Sequence, residues 1–293
     1  MNILKVLTLG VLLSGCEDPL KSVELVAEPR VLGGRVEVTD DAGRAAPAPG
    51  ESATARFLLA SPSLNQPVGF ALAACPAASR NGSRGECAGD DFAFVARGSG
   101  ENSEPSLRFT VPSELDPSGR VLLRGVICAD GSPTEDGQRC DGADLGIPIQ
   151  LELELAHEDD VNLNPELQPS AIFLDDQAWP EASPIGGDCV GLGFPEVDPS
   201  SEHSVTVELD ESDRDALPRP SELDPARESL QLSHFVSDGD ISRAFESIAW
   251  DSDELTRAVT WKAPPTAGLV RFWFVLRDLR GGGAFTERAV CVK

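Results

Sequence analysis

Ile147-Pro148-Ile149-Gln150-Leu151-Glu152-Leu153-Glu154-Leu155 is the stretch that decides the fold. Apolar side chains occupy every odd position, and proline, glutamine or glutamate every even one. That period of two belongs to a strand with one face on a core and the other in water. The same period returns at Leu107, Phe109 and Val111, and at Val270, Phe272, Phe274 and Leu276. Upstream of the defining stretch, short apolar or β-branched runs lie at 22–26, 35–39, 53–59, 68–74, 92–97, 107–111 and 121–128. Downstream they lie at 171–174, 204–209, 230–236, 244–248, 258–261, 269–277 and 285–292. Pro47, Pro49, Pro62, Pro67, Pro76, Pro112 and Pro117 fall between runs, where a missing N–H interrupts no ladder. No helical stripe intervenes. The expected fold is all-β, with two tandem antiparallel sandwiches over residues 22–156 and 170–293 and a linker over 157–169.

Two such blocks suit a chain of 293 residues. The strand pattern of the first resembles the immunoglobulin-like sandwiches, without the cysteine and tryptophan spacing of antibody domains. In the second, Arg271-Phe272-Trp273-Phe274-Val275-Leu276-Arg277-Asp278 followed by Arg280-Gly281-Gly282-Gly283 resembles the final hairpin of bacterial Ig-like, cadherin-like or PKD-like modules. The resemblance implies a second immunoglobulin-like unit. Residues 210–228, dense in Asp, Glu, Arg and Pro, are expected to form a long exposed loop or a short helix after Pro225.

At the other end, Lys5 precedes an apolar stretch from Val6 to Leu13 broken only by Thr8 and Gly10. A bilayer-spanning helix needs roughly 20 apolar residues, so this stretch has the length of a signal peptide instead. Its close, Leu13-Ser14-Gly15-Cys16, resembles the lipobox of bacterial lipoproteins. The resemblance implies that residues 1–15 form a signal peptide that is removed, that Cys16 carries a diacylglycerol thioether and N-terminal acylation, and that 16–21 is a tether. The alternative is an ordinary secretory signal that leaves Cys16 a free or disulfide-bonded thiol. By the first reading the protein is exported and held at a membrane by lipid, the outer membrane being the expected destination, on its periplasmic or surface face.

Seven cysteines less Cys16 leave six, an even number that favours disulfides in an exported chain. Of the possible pairings, spacing favours Cys75 with Cys87, Cys128 with Cys140, and Cys189 with Cys291. No C-x-x-C occurs, which argues against a structural zinc site or a thioredoxin-like pair.

Acidic residues outnumber basic ones by 49 to 24, for a net charge of -25. Phosphate backbones would be repelled, so nucleic acid is excluded as a partner. Tyrosine is absent, which argues against an aromatic sugar-binding platform. Glu158, Asp159, Asp160, Asn162 and Asn164 in the linker read first as a solvated tether with Asx turns; the alternative is a calcium site, since they supply the carboxylate and amide oxygens that calcium takes and resemble the interdomain segment of cadherins. No other cofactor is expected.

Catalytic signatures are missing. There is no G-x-S-x-G, no H-E-x-x-H and no Walker or dinucleotide loop. His157 lies in the linker, His203 borders a strand, and His234 sits among Leu230, Leu232 and Val236 as a packed or edge residue. The expected function is therefore non-enzymatic, binding an envelope protein or surface polymer. An envelope enzyme or enzyme accessory with a site in 175–202 or 210–228 is the alternative, and a calcium-dependent adhesion module a third reading.

Overall fold

The computed structural model describes residues 22–62, 68–78, 85–100, 104–116, 118–129, 131–142, 146–156, 161–181, 189, 193–217 and 226–293. Its first seven strands are β1 (Arg30–Val38), β2 (Ser52–Ala60), β3 (Val68–Pro76), β4 (Ala93–Gly100), β5 (Ser106–Thr110), β6 (Arg120–Cys128) and β7 (Ile147–Glu154). They form two antiparallel sheets, in the orders β1-β2-β5 and β4-β3-β6-β7. Val36, Phe57, Leu59 and Phe109 from the first sheet meet Leu72, Leu123, Ile149 and Leu153 from the second in one apolar core. The alternation of the defining stretch is realised in β7: Ile149 and Leu153 are buried, while Gln150 and Glu154 face water.

Ten further strands follow: β8 (Ile172–Leu174), β9 (Gln177–Ala178), β10 (Glu196–Val197), β11 (Glu202–Glu208), β12 (Leu230–Val236), β13 (Asp240–Ile241), β14 (Phe245–Ile248), β15 (Thr256–Lys262), β16 (Gly268–Arg277) and β17 (Gly283–Val292). Their sheets run β13-β15-β11-β8-β9 and β10-β17-β16-β12-β14. Between them lies a second core, built around Trp179, Trp261, Phe272 and Phe274. The Trp179 ring stands edge-on to Phe272 at 4.8 Å, and Trp261 meets the same ring at 4.9 Å. Arg288 is fully buried beside this core, donating to the carbonyls of Trp179 and Pro169 and so pinning both ends of the β8–β9 segment onto β17.

Three details differ from the strand reading of the sequence. β10 runs parallel to β17, the one parallel pair of named strands among the described residues. Residues 22–26 form no strand of the first unit; Val26 donates to Val236 and Val236 to Glu24, so this segment docks on the edge of β12 in the second. Of residues 210–228, those described (210–217 and 226–228) are not all exposed: a 3-10 turn spans Glu211–Asp213, and Asp213, Arg214 and Glu228 are buried, while 218–225, including Pro225, lie outside the described residues. Arg214 gives a physical reason, since its guanidinium reaches inward to the carbonyls of Ala249 and Trp250.

Disulfides join Cys75 to Cys87, Cys128 to Cys140, and Cys189 to Cys291, with Cα separations of 5.7, 5.7 and 5.6 Å. The first two fasten the ends of β3 and β6 to neighbouring loops. The third holds the approach to β10 against β17. Three disulfides fit an oxidising, extracytoplasmic compartment. No helix among the described residues is long and apolar enough to cross a membrane.

Candidate functional site

β16 is buried on both faces. Phe272, Phe274 and Leu276 enter the second core, while Trp273 and Val275 point the other way and pack with Val26, Leu32, Leu58 and Ala60. The last three come from the outer faces of β1 and β2, so the two sandwiches share a third apolar cluster. Gly33 permits that approach, because a Cβ there would lie 3.0 Å from a Val275 methyl. Polar bonds edge this seam. Arg271 donates to the carbonyl of Ser61 at 2.7 Å, Arg277 to that of Leu32, and Arg35 to that of Gly283 at 3.0 Å.

The linker residues Asn162 and Asn164 lie along the same seam. Asn164 donates to Val36 at 2.6 Å and accepts from the N–H of Gly283 at 3.1 Å. Asn162 donates to Asp278 at 2.8 Å, and its own carbonyl accepts from Ala45. Asp278 starts the Asp-Leu-Arg-Gly-Gly turn and accepts from the N–H groups of Arg280, Gly281 and Gly282. Burial raises its pKa above the usual carboxylate range. Beside it, buried Glu228 pairs with Arg280 at 2.7 Å, and burial reinforced by the Asp278 charge pushes the Glu228 pKa up to about 7.

Of the five linker residues read as calcium ligands, Asn162 and Asn164 are described, and their side chains are engaged in the seam. Asn164 spends both ends of its amide on the two sandwiches. Only Oδ1 of Asn162 is left buried and without a hydrogen-bond partner among the described residues. Glu158, Asp159 and Asp160 lie outside the described residues, as does Cys16. The one described group of three close potential metal ligands is Cys75, Cys87 and Asp91, of which two are the disulfide already named.

Grooves open on the surface of the described residues. One, of about 410 Å³, lies along the seam between the edge strands β1 and β7, lined by Val31, Leu32, Phe57, Ile149, Leu151 and Leu279. Leu279 stands at its lip with φ 64°, a left-handed backbone unusual for a bulky residue. Another, of about 580 Å³, lies between β14 and β15, lined by Arg243, Phe245, Glu246, Ser247, Thr256 and Arg257. β14 is the outer strand of its sheet, and Phe245 on it is 56% exposed.

Sequence reasoning named the segment 175–202 as an alternative enzyme site but not the side-chain arrangement at its two ends. His203, near the start of β11, has Nδ1 at 2.6 Å from Oδ2 of Asp175 and Nε2 at 2.6 Å from Oγ of Ser201. Asp175 sits in the β8–β9 turn, and its other oxygen accepts from the N–H of Ser204 at 2.9 Å. The Trp261 ring lies 5.8 Å from the imidazole. The Ser201 hydroxyl also contacts the carbonyl of Asp198. No local motif announces this chain, because Asp175 comes from a turn far upstream of Ser201 and His203. The other two expectations for histidine fall as follows: His234 is fully buried within β12, edge-on to Phe274 at 5.8 Å, and His157 lies outside the described residues.

No protein-family profile and no curated protein sequence matches this chain. Among solved structures, similarity is found to elastase-activated alpha-2-macroglobulin of Escherichia coli, at 10% identity and a TM-score of 0.27, over 90% of this chain and 22% of that one. The adhesin InvE of Yersinia pseudotuberculosis matches at 12% identity and a TM-score of 0.22, over 89% of this chain and 58% of that one. A glycosyl hydrolase family 2 member from Bacteroides cellulosilyticus matches at 10% identity and a TM-score of 0.21, over 90% and 28% respectively. The chain thus spans less than two thirds of the length of each. Likenesses of this size carry no argument about activity; the class of protein is set by the architecture itself, an all-β, disulfide-bonded chain of packed antiparallel sheets.

Proposed function

We propose that this protein is a cell-envelope lipoprotein, anchored through lipid on Cys16, whose two immunoglobulin-like sandwiches form a stiff arm that binds an envelope protein or surface polymer. The observation that carries the binding part is the edge of β14, which pairs with no further strand among the described residues and where Phe245 is 56% exposed beside the groove shared with β15. An open strand edge with an exposed aromatic is a ready contact surface for another chain. The anchor rests on the apolar stretch and Leu13-Ser14-Gly15-Cys16. Lipid chains contribute about 0.8 kcal/mol per buried methylene, so two or more hold a protein at a membrane without help from its folded part.

Fractionation of cells expressing the full chain tests the anchor: C16S is expected to fold and leave the membrane fraction, and retention after a salt wash would contradict it. For the binding surface, pull-down from envelope fractions with wild type and F245E is the experiment. Loss of a specific partner with F245E supports this reading, and identical recoveries would remove the β14 edge from it. Repeating the pull-down in EDTA reports on calcium in the linker, where loss of the partner would support the adhesion-type reading.

A further inference from the structure

We propose that Ser201 is an activated nucleophile, with His203 as its general base and Asp175 as the residue that positions the imidazole, and that this corner of the second sandwich performs acyl transfer on small esters. The inference is independent of the binding surface on β14. It rests first on polarity. With its ring proton on Nδ1, His203 donates to Asp175 and leaves Nε2 as the acceptor facing Ser201, at 2.6 Å on either side. That order of acid, imidazole and hydroxyl is what proton abstraction from serine requires.

Each member is also held in place. Asp175 is fixed by the N–H of Ser204 and by its own N–H donating to the Ser204 carbonyl, both at 2.9 Å. His203 pairs in register with Trp261 across β11 and β15, and its side chain is only 12% exposed. The serine follows Ser200, whose φ of 60° is left-handed backbone in a non-glycine residue. Strain of this kind persists where the surroundings impose it, here through Ser200 donating to Pro264 and Ala263 donating to Ser201. The Ser201 proton has two acceptors within reach, Asp198 O and His203 Nε2, and attack proceeds from the second.

In the reaction Ser201 Oγ bonds to the acyl carbon of an ester while its proton passes to Nε2 of His203. The alcohol leaves with that proton. Water, giving a proton to the same nitrogen, adds to the acyl-serine carbon and releases the carboxylic acid as Ser201 recovers its hydrogen. The Asp175 side chain is half exposed at this outer turn, so the fitting substrates are small acyl esters that can reach an open surface.

The full chain should be treated with a fluorophosphonate probe and the adduct mapped by mass spectrometry. Ser201 is expected to carry it. S201A should abolish labelling, and H203A should slow it at least tenfold with partial rescue by added imidazole, which a merely structural histidine would not show. Hydrolysis of p-nitrophenyl acetate gives a second readout, in which D175N is expected to lower kcat about tenfold with KM unchanged. An unlabelled Ser201 in folded wild-type protein, or labelling of equal rate in H203A, would overturn the proposal and leave the chain as a fastening of the β8–β9 turn.

Discussion

Glu228 and His234 pull the stability of this fold in opposite directions as pH changes. Burial, with help from Asp278, raises the Glu228 pKa from 4.5 to about 7, so the folded protein holds a proton that the unfolded chain has released. Its contribution is fully present below pH 4.5 and is lost as pH rises through 7. His234 is buried with no hydrogen-bond partner on either ring nitrogen among the described residues, and burial lowers its pKa from 6.5 to about 4. Its contribution is present above pH 6.5 and is lost as pH falls through 4. Each is worth of order 3 kcal/mol at its limit, so between pH 4.5 and 6.5 they largely cancel. Denaturant unfolding across pH should therefore show a shallow profile for the wild type. In E228Q the acid-side loss from His234 should stand alone, with stability falling steadily from pH 6.5 to 4. An unchanged profile in E228Q would show that Glu228 is not held protonated. At this scale the sequence was partly legible: the alternation around His234 marks a packed histidine, and it is one. Glu228 was hidden inside an acidic run that reads as solvated, because what buries it is Arg280 and the Asp278 turn from far along the chain.

β16 is the element on which most depends. Its run Leu269-Val270-Arg271-Phe272-Trp273-Phe274-Val275-Leu276 was read by its alternating half, Val270, Phe272, Phe274 and Leu276, which does line the second core. The other half was equally apolar at Trp273 and Val275. A continuous apolar run is the mark of a strand covered on both faces, so the seam was signalled, though not its partner. The covering face on β1 and β2 could not be found by periodicity, since Leu32, Leu58 and Ala60 lie in strands that also serve their own core. W273A should cost about 3–5 kcal/mol as a large buried truncation and loosen the two units from each other, read by thermal unfolding and by limited proteolysis of the linker. Retention of wild-type stability would remove Trp273 from the seam. β10 was not legible, because two residues running parallel beside a strand leave no pattern. It is held to β17 by bonds from Cys291 to Pro195 and from Lys293 to Val197 and lies next to the Cys189–Cys291 bridge, for which the chain-entropy account gives about 3–5 kcal/mol. Replacing both cysteines by serine should speed hydrogen exchange at the Lys293 amide, which bonds to Val197 at 3.0 Å. Exchange as slow as in the wild type would show that β10 holds its place without the bridge.

Across the whole molecule, the two cores are joined by a third, and the linker is part of the joint. Asn162 and Asn164 look like turn formers on a flexible tether when read alone. In the structure their amides are placed between the sandwiches, on Asp278, Val36 and Gly283. The all-β fold class was readable from strand period and turn composition. The angle of packing was not, because it depends on fitting Gly33 of β1 against Val275 of β16 by shape. The account's central claim is that the two sandwiches move as one body. Backbone 15N relaxation on the folded chain tests it most directly: a single rotational correlation time shared by strands of both units is the predicted result, and two separate, shorter times would contradict it.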